Sequence, residues 1–247
     1  MESETRRAAG AAPQALDYDA AWGRWADMIR FSPAPWHRRR LVLKEAARLD
    51  FASVLDVGCG VGEMLSGFAG RFDASLAGVD LSEEAVRQSR RSHPGMRFET
   101  LDVETGSLPE RFDLVVCSEV LEHCADREGA VENLRRMTAG HLLVTVPAGP
   151  VFPIDRAVGH REHFRAPELA ALLDRHGFEP LRVRSWGFPF HSAYKLAINL
   201  RPQAMLDRFA GGRYGPAQRA TATLLRWIFH LNRVPFGWQL VAVARAR

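Results

Sequence analysis

Residues 54–62 read Val54-Leu55-Asp56-Val57-Gly58-Cys59-Gly60-Val61-Gly62, and the fold follows from them. An apolar run that meets an acid and then glycines at alternate positions reads as a buried strand entering a tight turn. Glycine supplies the backbone freedom for that turn and lets a ligand approach the chain closely. A helix predicted over Gly62–Phe72 then offers free N–H groups to an anionic ligand group. The dinucleotide fingerprint G-x-G-x-x-G uses the same kind of turn. Here the third glycine comes one residue early, at Gly62, and the sixth position is Glu63. A carboxylate there would repel a pyrophosphate. Asp56, at the strand end, suits a ligand carrying an ammonium group instead.

Outward from this turn, strands and helices alternate. Short apolar runs predict strands at Ser53–Val57, Ser75–Val79, Arg97–Leu101, Phe112–Cys117 and Leu142–Val146. Helices are predicted over 83–92, with Ser82 as N-cap, and over 127–138. Short connections between alternating elements argue for an α/β fold, a parallel sheet with helices on both faces. Asp56, Asp80, Asp102 and Ser118-Glu119 all fall at strand ends, on the edge where such sheets bind ligands. Residues 148–165 read as a long loop with two histidines, a length that is usually functional or disordered. A helix over Pro167–His176, a strand over Leu181–Trp186, a helical insert over 189–235 and a final strand over Trp238–Ala244 complete the chain. At the other end, 1–14 read as a disordered tail. A helix over Leu16–Phe31 is stopped by Pro33 and Pro35, and a second runs from Trp36 to Leu49. The domain reading is therefore tail 1–14, helical lid 15–50, core 51–188, insert 189–235 and last strand 236–247.

The chain has 247 residues, of which 47% are hydrophobic and 25% charged, enough to bury a core without disulfides or a structural metal. No apolar run is long enough for a spanning helix, and the first residues lack the apolar segment of a secretory signal. Cys59, Cys117 and Cys124 show neither C-x-x-C nor zinc spacing, which points to a reduced, cytoplasmic protein. Net charge is +4, unevenly spread: 51–200 carry 16 basic and 21 acidic side chains, whereas 201–247 carry 8 and 1.

The turn resembles the first motif of class I S-adenosylmethionine-dependent methyltransferases, and three further motifs follow in order. Ala77-Gly78-Val79-Asp80-Leu81-Ser82 resembles the second-strand motif, whose acid binds the ribose hydroxyls. Glu99-Thr100-Leu101-Asp102-Val103 resembles the third, whose acid holds the adenine amino group. Phe112 to His123 (FDLVVCSEVLEH) resembles the fourth-strand motif of the small-molecule, type 11-like branch. The resemblance spans roughly residues 50–180. It implies a Rossmann-like, doubly wound, seven-stranded sheet of order 3-2-1-4-5-7-6 with the seventh strand antiparallel. It also implies S-adenosylmethionine as cofactor. The implied cofactor set is Asp56, Gly58, Cys59, Gly60, Gly62, Asp80, Leu81, Asp102, Val103, Ser118, Glu119 and His123. A strand-end carboxylate accepting two ribose hydroxyls fits this chemistry. The bland alternatives are a capping or turn role for the acids and a small-core role for Cys59 and Cys117.

Methyl transfer to oxygen or nitrogen needs nucleophile and methyl group held in near-attack geometry, with a base where the nucleophile carries a proton. His123, His160 and His163 are the candidates, with His160 or His123 as base or acceptor clamp. The same histidines can instead pack on the adenosyl group or stabilise the loop. The run Asp155…Gly159-His160-Arg161…Phe164 resembles a pattern that lies over the acceptor in quinone- and small-molecule-methylating members. Tyr18, Trp22, Trp36, Arg161, Phe188, His191 and Tyr194 are the candidate acceptor residues, an aromatic wall with few polar groups. No metal is expected. Pro216–Leu231 is amphipathic and basic, suited to ordinary packing or to an anionic membrane surface. No RNA-binding module is recognisable. The expected function is methyl transfer from S-adenosylmethionine to an O or N nucleophile of a small molecule, by a monomer or homodimer. The alternatives are a quinone or isoprenoid-lipid methyltransferase at a membrane, and a fold member that keeps the cofactor without methylating.

Overall fold

The structure is a computed structural model and describes residues 19, 28–209, 213–233 and 235–247. The expected tail 1–14, most of the first expected helix, and Tyr18 and Trp22 lie outside the described residues. Seven strands form one sheet: β1 Ser53–Val57, β2 Ser75–Asp80, β3 Arg97–Thr100, β4 Phe112–Ser118, β5 Thr138–Pro147, β6 Phe178–Trp186 and β7 Gln239–Ala246. Their order is β3-β2-β1-β4-β5-β7-β6, as the resemblance implies. β1 to β5 pair in parallel and β7 runs antiparallel to both β5 and β6.

The central strands are apolar on both faces because both are covered. Leu55, Val57, Val115 and Cys117 point into one core with Leu134 and Met137 of the helix Arg127–Met137. Val54, Leu114 and Val116 point into the other, with Val42, Leu43 and Ala46 of the helix Pro33–Ala46. Numbered in chain order, the helices are α1 Pro33–Ala46, α2 Glu63–Ala69, α3 Glu83–Ser92, α4 Arg127–Met137, α5 Pro153–Ala157, α6 Ala166–Arg175, α7 Phe190–Asn199, α8 Pro202–Phe209 and α9 Pro216–Phe229.

Several boundaries differ from the sequence reading. The chain is helical over 28–31, breaks at Ser32, and α1 starts at Pro33 rather than Trp36. Proline at the first helical position sacrifices no hydrogen bond, so Pro33 opens a helix as well as closing one. β5 begins at Thr138, directly after α4, with the Thr138 hydroxyl donating to the Leu134 carbonyl at 2.7 Å. β6 begins at Phe178, not Leu181. Pro180 and two arginines hide it, and it is an edge strand with a bulge between Pro180 and Arg182, where both are tolerated. The expected loop 148–165 contains α5, and Phe164 bridges back to Ala148.

Candidate active site

The C-terminal ends of β1, β2 and β4 and the segment after β3 open onto a cavity of about 380 Å³, within the range of small-molecule sites. Its floor is the glycine turn. Gly58 and Gly60 take positive φ, +73° and +53°, and the N–H groups of Gly58 and Cys59 donate to the Val79 carbonyl. A Cβ on Gly58 would lie 2.3 Å from Val120 Cγ2, so glycine is required there by backbone and by space.

Asp80 ties this turn to β2. The Gly60 N–H donates to its Oδ2 at 2.8 Å and the Ser82 N–H to its Oδ1 at 2.9 Å. Burial pushes its pKa up, against those two donors. Asp56 is fully enclosed; burial, then the Asp80 charge, raises its pKa well above the carboxylate range. Two buried carboxylates in one floor favour a ligand that brings positive charge. Asp102 lines the cavity farther along, its Oδ1 accepting from the Glu104 N–H at 2.9 Å. The donor set thus fits S-adenosylmethionine, which offers a diol, an amine and an ammonium to acids.

The opposite wall comes from β4 and α1. Glu119 takes φ +59°, unusual for a side-chain-bearing residue, and its N–H donates to the Thr145 carbonyl. Its carboxylate pairs with Arg38 of α1 at 2.9 Å. Arg39 lies next to it, 3.8 Å from Glu63 and donating to the Ile29 carbonyl at 3.0 Å. Neither arginine was singled out in the sequence, where the run Arg38-Arg39-Arg40 looks like a solvated helix face. Asp19 was missed too: it accepts from the Ser82 hydroxyl and from the Glu84 N–H at 3.2 Å, at the start of α3 beside Asp80.

Over the cavity hangs a histidine relay. His160 lines it, edge-on to His123 with ring centroids 4.8 Å apart. His160 Nδ1 lies 3.1 Å from His163 Nε2, and His163 Nδ1 lies 3.3 Å from the Gly149 carbonyl. A carbonyl only accepts, so neutral His163 carries its proton on Nδ1 and accepts from His160 Nδ1–H. His160 Nε2 is then the unprotonated nitrogen. Burial, with His123, His163, Lys195 and Arg38 nearby, lowers the pKa of His160 to about 2. Behind the relay, Asp155 sits 3.2 Å from Lys195 Nζ and 3.7 Å from His163 Nε2, all three side chains buried. Glu122 is fully buried with neither carboxylate oxygen bonded to a protein donor among the described residues, and burial drives its pKa well up.

Two groups have metal-ligand spacing, Glu122 with His123 and His160, and Asp155 with His160 and His163, their donor atoms within 4.8 Å of one another. The second is internally satisfied by the His160–His163 bond and by Lys195.

Of the expected cofactor residues, Asp56, Gly58, Cys59, Gly60, Asp80, Leu81, Asp102, Val103, Ser118, Glu119 and His123 line the cavity. Gly62 does not: at φ +82° it closes the turn, with His93 where a Cβ would go. His163 stands behind His160. Five expected acceptor residues also lie elsewhere. Trp36 packs on His230, and Tyr194 on Phe229, its pKa pushed up to about 12 by burial. His191 is buried between Trp186 and Phe229. Phe188 is turned to the surface, and Arg161 braces the β4 end by donating to the His123 carbonyl at 3.1 Å. Aromatic content alone did not separate cavity wall from the seam between insert and sheet.

Residues 28–183 match the family model of the methyltransferase domain. The chain belongs to the S-adenosylmethionine-dependent methyltransferase family. It is similar to the ubiquinone biosynthesis O-methyltransferase of Serratia proteamaculans (strain 568), 30% identical over 224 residues, 79% of this chain and 86% of that protein. The enzyme of the same name from Pseudomonas putida (strain GB-1) is 34% identical over 116 residues. That match takes in 44% of this chain and spans about half, 47%, of the relative. The fold is shared with the N-methyltransferase NodS from Bradyrhizobium japonicum WM9 in complex with S-adenosyl-L-homocysteine. That structure has a TM-score of 0.59 at 15% identity, covering 92% of this chain and 98% of that one.

Proposed function

We propose that this methyltransferase moves a methyl group from S-adenosylmethionine to an oxygen, or alternatively a nitrogen, of a small molecule. The observation that carries this is His160, which lines a cavity with Asp56 and Asp80 in its floor; its bond to His163 leaves its Nε2 unprotonated. S-adenosylmethionine supplies an electrophilic methyl group when bound. Asp80 would hold the ribose hydroxyls, Asp102 the adenine amino group and Asp56 the ammonium. Arg38 and Arg39, cations of the cavity wall, would hold the carboxylate. The depressed pKa of His160 keeps it neutral, so its role is to accept the O–H of the nucleophile and aim its lone pair at the methyl group; as the C–S bond breaks and the O–C bond forms, the oxygen's proton would pass to His160 Nε2 and on to water. His123 flanks it, and His163 fixes its tautomer.

The relatives' names favour a phenolic oxygen, and they support a second reading in which the acceptor carries an isoprenoid tail. Calorimetric titration with S-adenosylmethionine and S-adenosylhomocysteine tests the cofactor site. Release of S-adenosylhomocysteine across phenols, amines and their prenylated analogues tests the acceptor. His160→Ala is expected to lower turnover about a hundredfold with cofactor affinity unchanged. Turnover at the wild-type rate rejects the role given to His160.

A further inference from the structure

α9 is apolar on two opposite faces. Ala222 and Phe229 are buried and point inward, where α9 packs on α1. Ala220, Leu224, Trp227 and Leu231, spaced i, i+4, i+7 and i+11, form the opposite line, and all four are exposed. Trp227 is 70% exposed and Leu231 64%. The His230 and Leu231 N–H groups still donate to Trp227 and Ile228, so the helical turn carries the line past the end of α9. Exposed Phe188 and Phe236 extend it: the Arg233 N–H donates to the Phe188 carbonyl at 2.7 Å and the Phe188 N–H to that of Phe236 at 3.1 Å. A helix that faces only water on its outer side carries polar residues there, and this one carries leucine and tryptophan.

Along the C-terminal segment the charge has one sign. No acidic residue follows Asp207, whereas seven arginines do. Arg213, Arg219 and Arg233 are exposed on α9 or its flanks, and exposed Arg40 of α1 meets His230 beside Trp227. An apolar strip rimmed by arginine, on a segment that carries no carboxylate after Asp207, matches a surface that is apolar inside and anionic at its face.

The helix that carries the strip is also tied to the segment that forms the cavity wall. Arg226 of α9 donates to the carbonyls of Arg30 and Phe31, two residues beyond Met28 and Ile29 in the cavity wall. Arg40 follows Arg38 and Arg39, which line that wall from the same helix. Among the described residues no helix is long and apolar enough to cross a membrane, so contact would be from one side.

We infer that the outer face of α9, with Phe188 and Phe236, docks this methyltransferase peripherally on an anionic lipid bilayer. Docking does not depend on the methyl acceptor. The full chain is co-sedimented with vesicles of phosphatidylcholine alone and of equimolar phosphatidylcholine and phosphatidylglycerol, at low and high salt. The expected result is binding to the anionic vesicles about tenfold tighter than to the neutral ones, weakened by salt. The combined variant Leu224→Ser, Trp227→Ser, Leu231→Ser is expected to lose about tenfold in vesicle affinity while its affinity for S-adenosylhomocysteine and its unfolding temperature hold. Absence of wild-type binding to anionic vesicles overturns the inference, as does a variant that binds like wild type. A wild-type dimer that the variant converts to monomer, with no vesicle binding by either, assigns the face to a second copy instead. Methyl transfer to a water-soluble acceptor at full rate, with vesicle binding intact, would reject the prenylated acceptor and leave the docking face standing.

Discussion

Asp80 has two duties that a single substitution can separate. Its carboxylate holds the turn through the Gly60 and Ser82 N–H groups, and in the proposed function it also meets the ribose. Asp80→Ala leaves two buried N–H groups without their acceptor, which costs about 1–3 kcal/mol each when nothing replaces it. Asp80→Asn keeps one carbonyl oxygen to accept from the loop but loses the charge that strengthens a diol bond. The expected order of affinity for S-adenosylhomocysteine is wild type, then Asn, then Ala, with at least a tenfold gap at the first step and a drop in unfolding temperature at each step, since Asn frees one N–H group and Ala both. Equal affinity for the Asn variant and wild type, by calorimetry, would show that Asp80 serves the loop alone. His163 is separable in the same way. It donates to the Gly149 carbonyl, so His163→Phe removes the acceptor that pins the His160 tautomer while keeping ring volume. Turnover is expected to fall while the Michaelis constant for S-adenosylmethionine holds; a change confined to that constant would place His163 in cofactor binding instead.

At the scale of elements, the β1–α2 turn decides whether a cavity exists at all. Gly58→Ala puts a Cβ at φ +73° and within 2.3 Å of Val120 Cγ2. The backbone cost is about 1 kcal/mol, and overpacking adds about 1–3 kcal/mol. Val120→Ala makes room without changing the backbone, so the double variant should recover the overpacking part only. Full recovery in urea unfolding would mean that the positive φ is free. Such turns were legible in the sequence because glycine and acid at fixed spacing carry backbone information directly. Asp56, Asp80 and Asp102 were found for the same reason, each closing an apolar run or lying just past it. The start of β6 was not legible, since Pro180, Arg182 and Arg184 read as loop until the edge position is known. Arg38 and Arg39 were hidden in a basic run whose inward face depends on α1 lying across the sheet edge. The acceptor aromatics failed for a related reason: Trp36, His191 and Tyr194 are where the insert meets the core, and seams and pockets draw on the same residue types.

That seam governs how the whole molecule answers to acid. His37 of α1, Trp186 at the end of β6, His191 of α7 and Phe229 of α9 pack ring against ring, at 5.1 Å for His37–Trp186 and for Trp186–His191. His37 Nδ1, His191 Nδ1 and Trp186 Nε1 have no protein partner there among the described residues. Burial lowers the pKa of His37 to about 4, with His230 and Arg40 adding to it. Burial lowers His191 to about 3, with Lys195, Arg38 and His37 adding to it. An imidazole whose folded pKa lies below its unfolded one favours folding fully above the unfolded value, near 6.5. That contribution is lost as pH falls toward the folded value, because the unfolded chain then binds the extra proton. His191 alone should therefore cost the native state roughly 3 kcal/mol between pH 7 and about pH 4. His191→Phe replaces the ring by one that cannot take a proton, in a site already walled by Trp186 and Phe229. Its stability in urea should be within about 3 kcal/mol of wild type at neutral pH, the range for a modest volume increase in a packed core. On acidification the wild type should fall faster, ending roughly 3 kcal/mol lower relative to its neutral value than the variant does. The buried carboxylates Asp56, Asp80 and Glu122 titrate in both proteins, so the difference between the two curves isolates the seam. Parallel curves would mean that His191 is already charged or reached by water in the native state, and that insert and core are held by contacts other than this ring stack.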